Sequence, residues 1–526
     1  MKESAIAWLA LAIIISAGIF VRAVAVGEPM WLDECHTAWA VDADSIAVVA
    51  SRAADGNQPP LYFGIVWSLT QLMGLSEFSI RLVSLISGSL LMVIASLWAK
   101  HLTNRWSAAI LVAGLIAFDG QFIFYSSEAR SYALVQLIGL VQAACFWQVI
   151  SSEYQLKGQT GESTNPSSRT LAWLFGWTLL SIAILFCHYT SVWILVAELI
   201  TFVLIAAKHR RFSLKCLLAG VTTVAACLGV WSNFSTVFDR RSNWANVSSI
   251  ETLWTDVEPW IVHWILIPAG FAIAGWLASF VQPLNDDTKR PPPDWLLCGW
   301  IMLWGLIGPI AIATADWMGV APMALVRYSA VCWVAIAIFA ALGLTQFTAR
   351  TSWGVAAIVL ASSFFGNWWV SDMITARTML PFRSEDWVTT VQQIAAADST
   401  EPVFQFGDVI EDVDSFSISD ERFQRYLLFP ILGAEAVRGG EKTLSDTQPI
   451  VPMPTWNIQF SAEHLDSIRQ AKGCWLICRG DFNYALIIPD TLDRYLKEPI
   501  EFKFIPNEKM LESKVHLIRI RLVNQP

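Results

Sequence analysis

Long apolar segments recur through the first 380 residues, and no other feature so narrows the folds open to this chain. A helix needs about 20 mostly apolar residues to cross a bilayer, and only helices and closed barrels satisfy every backbone polar group there. Segments at 5–21, 82–99, 106–125, 133–150, 171–187, 190–207, 212–231, 260–281, 295–314, 328–347 and 353–371 each read as a spanning helix. The chain is therefore expected to be an α-helical polytopic membrane protein with about 11 transmembrane helices over residues 1–380. Composition agrees. Of 526 residues, 55% are hydrophobic and 15% charged, and a mean hydropathy of +0.49 is too apolar for an ordinary soluble protein.

The apolar stretch QPPLYFGIVWSLTQLMG, residues 58–74, is too short to span. Pro59 and Pro60 open it and Gly74 closes it, so 59–74 reads as a helix lying in the outer interface, within a first outward loop at 27–81. Basic residues near span ends test the count, because they cluster on the cytoplasmic side. With 59–74 interfacial, Lys2, the Lys100–Arg105 turn, Lys157, Arg169, the run KHRRFSLK at 208–215, Lys289, Arg290 and Arg350 all share one face. The N-terminus is then cytoplasmic and the C-terminal part extracytoplasmic. Arg22 interrupts the small-residue string after the first apolar run, which suits an uncleaved first span better than a signal peptide. The Ser/Gly/Thr-rich stretch 152–170 and NDDTKRPPPD at 285–294 read as solvated connectors.

After residue 380 the apolar runs shorten and charges rise. PVFQFG (402–407), CWLICRG (474–480) and KVHLIRIRLV (514–523) alternate like strands among helical segments, so residues 381–526 are expected to be a soluble α/β domain. Ser384, Glu385 and Asp386 mark a helix start for 385–396. A net charge of −9, with no long basic run, speaks against a nucleic-acid partner. The nine cysteines are scattered, mostly inside apolar runs. Cys474 and Cys478 sit four apart on an expected strand, about 13 Å from each other, too far for a disulfide.

Polar residues at the outer span ends are the candidates for chemistry: Asp33, Glu34, Arg81, Glu128, Arg130, His188, Arg240, Arg241 and Arg327. Charges there tend to face a protein cavity. Asp33 and Glu34, in EPMWLDECHTAWA, read either as ordinary solvated acids or as a base with an adjacent anchor for a cation or hydroxyl. In FYSSEARSYAL (124–134), Arg130 either pairs locally with Glu128 or holds a phosphate. His188 in CHYTS is either structural or functional, and Arg327 in VRYSA either snorkels to headgroups or binds an anion. Glu198, mid-span, is expected to hydrogen-bond a neighbouring helix.

The ordered set WLDECHTAW, QPPLYF, GLSEFSIRLVS, YSSEARSYAL, HYTS and RYS resembles the GT-C superfamily of membrane glycosyltransferases, within it the bacterial relatives of protein O-mannosyltransferases and the lipid A aminoarabinose transferase. The match covers roughly residues 5–350. It implies a polyprenyl-phosphate-linked sugar donor, an acceptor hydroxyl, a site at the outer face of a bacterial inner membrane, and inversion at the anomeric carbon. Asp33 then corresponds to the base and Glu34 to the second acid of the pair. Arg130, Arg327, His188 and Arg81 are the candidates for the lipid phosphate, with Glu128, Tyr132 and Tyr328 in support. Some relatives carry a lysine or histidine before the paired prolines where this chain has Gln58, which can hydrogen-bond phosphate but not neutralise it.

No metal or other cofactor is indicated, because no compact acidic cluster accompanies Asp33 and Glu34 and the family includes metal-independent members, and a divalent cation stays open as the alternative. The expected partners are the lipid-linked donor, a glycan, lipid or protein acceptor, and the membrane itself. A transporter or flippase of a polyprenyl-linked glycan is the competing class. Transporters place polar or broken helices near the midplane, whereas the charges here gather at outer span ends.

Overall fold

The computed structural model describes residues 2–156, 166–244, 270, 294–318, 326–366, 384–397, 399–409, 420–438, 444–455, 457–507 and 513–523. The chain divides into two compact units, Met1–Val26 with Asn57–Tyr62 and Leu82–Leu380, and Gly27–Gly56 with Phe63–Arg81 and Pro381–Pro526.

The first unit is helical. Among the described residues seven helices are long and apolar enough to cross a bilayer, or eight if the bent pair Trp106–Phe118 and Gly120–Ser127 forms one span. Each expected span is helical over most of its described residues, including Leu214–Trp244 and Ala349–Gly366, while 260–281 apart from Gly270, and 367–371, lie outside the described residues. The chain is an integral, polytopic α-helical membrane protein. One helix begins earlier than the composition implies: Pro166–Cys187 starts inside the stretch read as a connector, with proline at its first position, where a missing N–H costs nothing. Lys157, Lys289 and Arg290 fall outside the described residues.

The segment 106–125 is not one straight span. It bends by 63° at Asp119, whose carboxylate accepts from the Gln121 and Phe122 backbone N–H groups and so starts a second helix. A break frees carbonyls that water cannot reach in a bilayer. Buried Arg22 meets them, donating to the Ile116 and Ala117 carbonyls at 2.7 and 3.0 Å. The arginine that interrupts the first apolar run thus repairs the third span.

Among the described candidate spans Arg327–Gln346 is the most enclosed, with 94% of its apolar window buried against 22% for that of Ala5–Ala25. Its helix Ala330–Gly343 is rich in alanine, which lets neighbours approach closely. A Cβ added at Gly308 would fall 2.8 Å from the Cys332 sulfur, so the helix Trp295–Trp317 needs glycine there. Trp147 stacks on Trp300 at 5.2 Å, and Trp304 donates its indole N–H to the Val331 carbonyl at 3.0 Å. Several tryptophans therefore serve as interhelical filling. Glu198 accepts from Gln142 at 2.7 Å and Trp177 at 2.9 Å, as its mid-span position implies.

In the second unit the C-terminal residues form a mixed five-stranded sheet of order β2-β1-β3-β5-β4: β1 Val403–Phe406, β2 Ile450–Pro452, β3 Gly473–Arg479, β4 Ile500–Ile505 and β5 Val515–Leu522. β1 runs parallel to β2 and β3, while β5 is antiparallel to β3 and β4. Central β3 is buried in all but its last residue, and Leu476 stands between Phe404 and Ile518 in register. Phe404, Phe406, Leu476, Ile518 and Ile520 join Ile488 and Leu492 of the helix Phe482–Leu496 in one core. Cys474 and Cys478 are buried free thiols, both held above their ordinary pKa by burial.

The same unit contains most of the stretch between the first two spans, which is largely helical: Leu32–Val41, Ile46–Asp55 and Pro60–Met73. The last has 14 residues, about 21 Å, short of a bilayer's apolar thickness. Gly74, at φ +81, ends it in the left-handed region. Helix Phe429–Arg438 lies on Leu32–Val41 so closely that a Cβ on Gly433 would overlap the Cys35 carbonyl oxygen. His36 sits edge-on to Phe63 and Phe429 at 5.6 and 5.3 Å.

Candidate active site

Asp33 and Glu34 occupy the first turn of the helix Leu32–Val41, where the positive end of the helix dipole favours carboxylates. What reads as a loop is thus a helix N-terminus. Successive residues on a helix point about 100° apart, and here the divergence separates two environments. Glu34 is fully buried, and Arg81 donates to both its oxygens, Nε to Oε1 at 2.6 Å and Nη2 to Oε2 at 2.5 Å. Arg81 also donates to the Glu28 and Pro29 carbonyls at 2.7 and 3.3 Å, so the pair ties the helix to the chain before it. Asp33 stays partly exposed.

A second acid completes this arrangement from far along the chain. Glu385, 3% exposed, accepts from the Leu32 backbone N–H at 3.0 Å and the Trp387 indole at 2.9 Å through Oε2, and from Arg479 Nε at 2.8 Å through Oε1. Composition placed Glu385 inside a helix. The helix is Trp387–Ala396 instead, capped by Asp386 through the Thr389 N–H at 2.9 Å, which leaves Glu385 free of the helix to reach Leu32. Arg479, at the end of β3, also donates to Asp408 Oδ2 at 3.2 Å. Burial works to lower the Arg479 pKa, but Glu385, then Asp408 and Asp33, leave it raised. Burial, reinforced by Glu385 and Glu34, raises the Cys35 thiol pKa well above its ordinary value, so that thiol is no nucleophile. Nothing in the local sequence marks Arg479 or Trp387 as partners of the acid that caps the Asp33 helix.

The other candidates lie in the first unit. Glu128 ends the helix Gly120–Ser127, and its carbonyl accepts from the Arg130 N–H at 2.9 Å; both side chains are buried. The Arg130 carbonyl accepts from Ser84 at 2.9 Å, and Tyr62 lies 3.3 Å from the same hydroxyl. Sequence reading passed over Tyr62 and Ser84, although Tyr62 belongs to the QPPLYF segment. Tyr132 opens the helix Tyr132–Glu153 with its ring 5.2 Å from that of His188, and the Tyr328 ring is 6.1 Å from His188. His188 Nδ1 lies 2.8 Å from the Thr190 hydroxyl, fixing the ring in its turn. The Arg327 guanidinium stands 5.6 Å from the Tyr328 ring centre. Tyr132, His188, Tyr328 and Arg327 are therefore one cluster drawn from three separate stretches of chain.

Gln58 is half-buried in the turn before the helix Pro60–Met73. The side chains of Arg240 and Arg241 lie outside what is described. Among the described residues no group of three or more His, Cys, Asp or Glu side chains is set to hold a metal ion.

No family model matches the chain, and no curated protein does. Solved structures do. ArnT from Cupriavidus metallidurans bound to undecaprenyl phosphate is similar over 98% of both chains, with a TM-score of 0.53 and 13% identity. The Archaeoglobus fulgidus oligosaccharyltransferase, tethered through a disulfide bond to an acceptor peptide containing the NVT sequon, is similar over 99% of this chain and 74% of its own, with a TM-score of 0.51 and 10% identity. At these identities the likeness is one of fold alone. This chain has the GT-C fold, as its ordered motifs imply.

Proposed function

We propose that the protein is a glycosyltransferase that moves a sugar from a polyprenyl-phosphate-linked donor to an acceptor hydroxyl at the outer face of a bacterial inner membrane, with inversion at the anomeric carbon. The observation that carries this reading is the division of labour between adjacent acids. Both Glu34 oxygens are committed to Arg81, while Asp33 on the same turn stays partly exposed. Asp33 is the base: it takes the acceptor hydroxyl proton as that oxygen attacks the anomeric carbon. The bond from that carbon to the phosphate oxygen breaks, and the lipid phosphate leaves with the electron pair.

A phosphate leaving group is a weak base, so fixed positive charge and hydrogen-bond donors serve it better than a general acid. Arg130, Arg327 and His188 are assigned to it, with Gln58 adding a neutral donor. The Tyr132 and Tyr328 rings both pack near the His188 ring, consistent with a fixed position for its Nε2. Arg81 is assigned to Glu34 rather than to the phosphate, because its guanidinium is fully engaged by Glu34 and two carbonyls. The likeness to a protein bound to undecaprenyl phosphate supports the lipid-phosphate class of donor.

The test separates binding from transfer. Asp33→Asn should bind a polyprenyl-phosphate sugar with wild-type affinity yet transfer it at least 100-fold more slowly, the usual scale for a lost general base. Arg327→Ala should weaken donor binding about tenfold. Full transfer by Asp33→Asn in a donor-binding protein would remove the proposed base.

A further inference from the structure

The N-terminus of the helix Leu32–Val41 lacks the device that normally secures one. Its first N–H groups need acceptors, yet the residue at the cap position is Trp31, whose side chain offers none. Glu385 supplies the acceptor from a position 353 residues away. It does so from a buried site, with its other oxygen held by Arg479 and its indole partner Trp387 rooted at the start of the next helix. The carboxylate is thus fixed by two partners of the C-terminal domain while a third contact fixes Leu32, the residue before Asp33.

Gly433 secures the same helix independently. The backbone of Phe429–Arg438 meets the Cys35 carbonyl at a separation that admits no side chain. On its remaining side the helix is tied through Glu34 to Arg81. We infer that Glu385 and Arg479 are positioning residues for transfer, forming a clasp through which the C-terminal domain caps the Leu32–Val41 helix and sets the direction of the Asp33 carboxylate. The clasp gives the C-terminal domain a part in catalysis without contact with substrate. Arg479 adds a cation within electrostatic reach of Asp33.

The inference rests on Asp33 acting as base, so its test has one arm that does not depend on activity. Hydrogen–deuterium exchange on the full-length protein should show the 30–41 amides exchanging about tenfold faster in Glu385→Ala than in wild type, the scale of a lost helix cap. Glu385→Asp should recover part of that protection. Turnover with polyprenyl-phosphate sugars is the second arm. Glu385→Ala and Arg479→Gln should lower kcat at least tenfold with donor KM within twofold of wild type, and Arg479→Lys should restore most of the rate. Unchanged exchange at 30–41 in Glu385→Ala would overturn the clasp whatever the enzyme does. Wild-type kcat alongside faster exchange would overturn its catalytic role. If Glu385→Ala fails to fold, Arg479→Gln carries the same two readouts. A wild-type protein that transfers no sugar refutes the functional reading alone, and the exchange arm still decides the clasp.

Discussion

Asp33 and Glu34 are neighbours whose surroundings give them opposite consequences on substitution. Removing one partner of a buried ion pair leaves an uncompensated charge, at a cost of about 3–5 kcal/mol. Glu34→Ala would strand the Arg81 guanidinium, fully buried, against the Glu28 and Pro29 carbonyls alone. It is expected to lower the unfolding midpoint markedly. Asp33→Asn is isosteric at a partly exposed position and should stay within about 0.5 kcal/mol of wild type, the usual range for such sites. Thermal unfolding of the two purified variants in the same detergent checks the contrast, and equal losses would undo the separation of roles. The pair itself is plain in WLDECHTAW, but its division is not. Glu34 meets Arg81 47 residues on, the helix that carries both acids meets Glu385 353 residues beyond Leu32, and local sequence carries no sign of who meets whom.

Among the elements, legibility follows length and burial. The strands β1, β3 and β5 show as apolar or alternating runs because the core demands it. β2 has three residues and β4 places Glu501, Phe502 and Lys503 outward at the sheet edge, so neither leaves a strong pattern. The bend at Asp119 passes unnoticed within an apolar run, although Asp followed by Gly is a local start signal, because hydropathy alone does not register broken helices. Helix Phe429–Arg438 yields a prediction of its own. Gly433→Ala inserts a methyl group where the Cys35 carbonyl stands, and backbone must shift to admit it. Overpacking of this kind costs about 1–3 kcal/mol. The variant should unfold at lower temperature, and faster amide exchange should appear in both 30–41 and 429–438. A change confined to 429–438 would show that the two helices do not depend on each other.

At the scale of the whole molecule, ordered weak motifs carry the fold where overall identity does not. A chain only 13% identical to ArnT from Cupriavidus metallidurans shares its fold over nearly its full length, because the order and length of apolar spans constrain the architecture more than most individual residues do. Apolar spans exchange leucine, isoleucine and valine freely, so sequence similarity fades while topology stays. What the motifs do not encode is the sugar or its acceptor. Incubating the purified protein with a panel of polyprenyl-phosphate-linked hexoses and pentoses and a cell-envelope extract, then following free polyprenyl phosphate and new glycosides by mass spectrometry and NMR, tests the central claim directly. Wild type should release lipid phosphate from at least one donor and form a glycoside of inverted anomeric configuration, with Asp33→Asn forming none. Lipid-linked sugars left intact across the panel by a folded protein, or a product formed equally by Asp33→Asn, would contradict it.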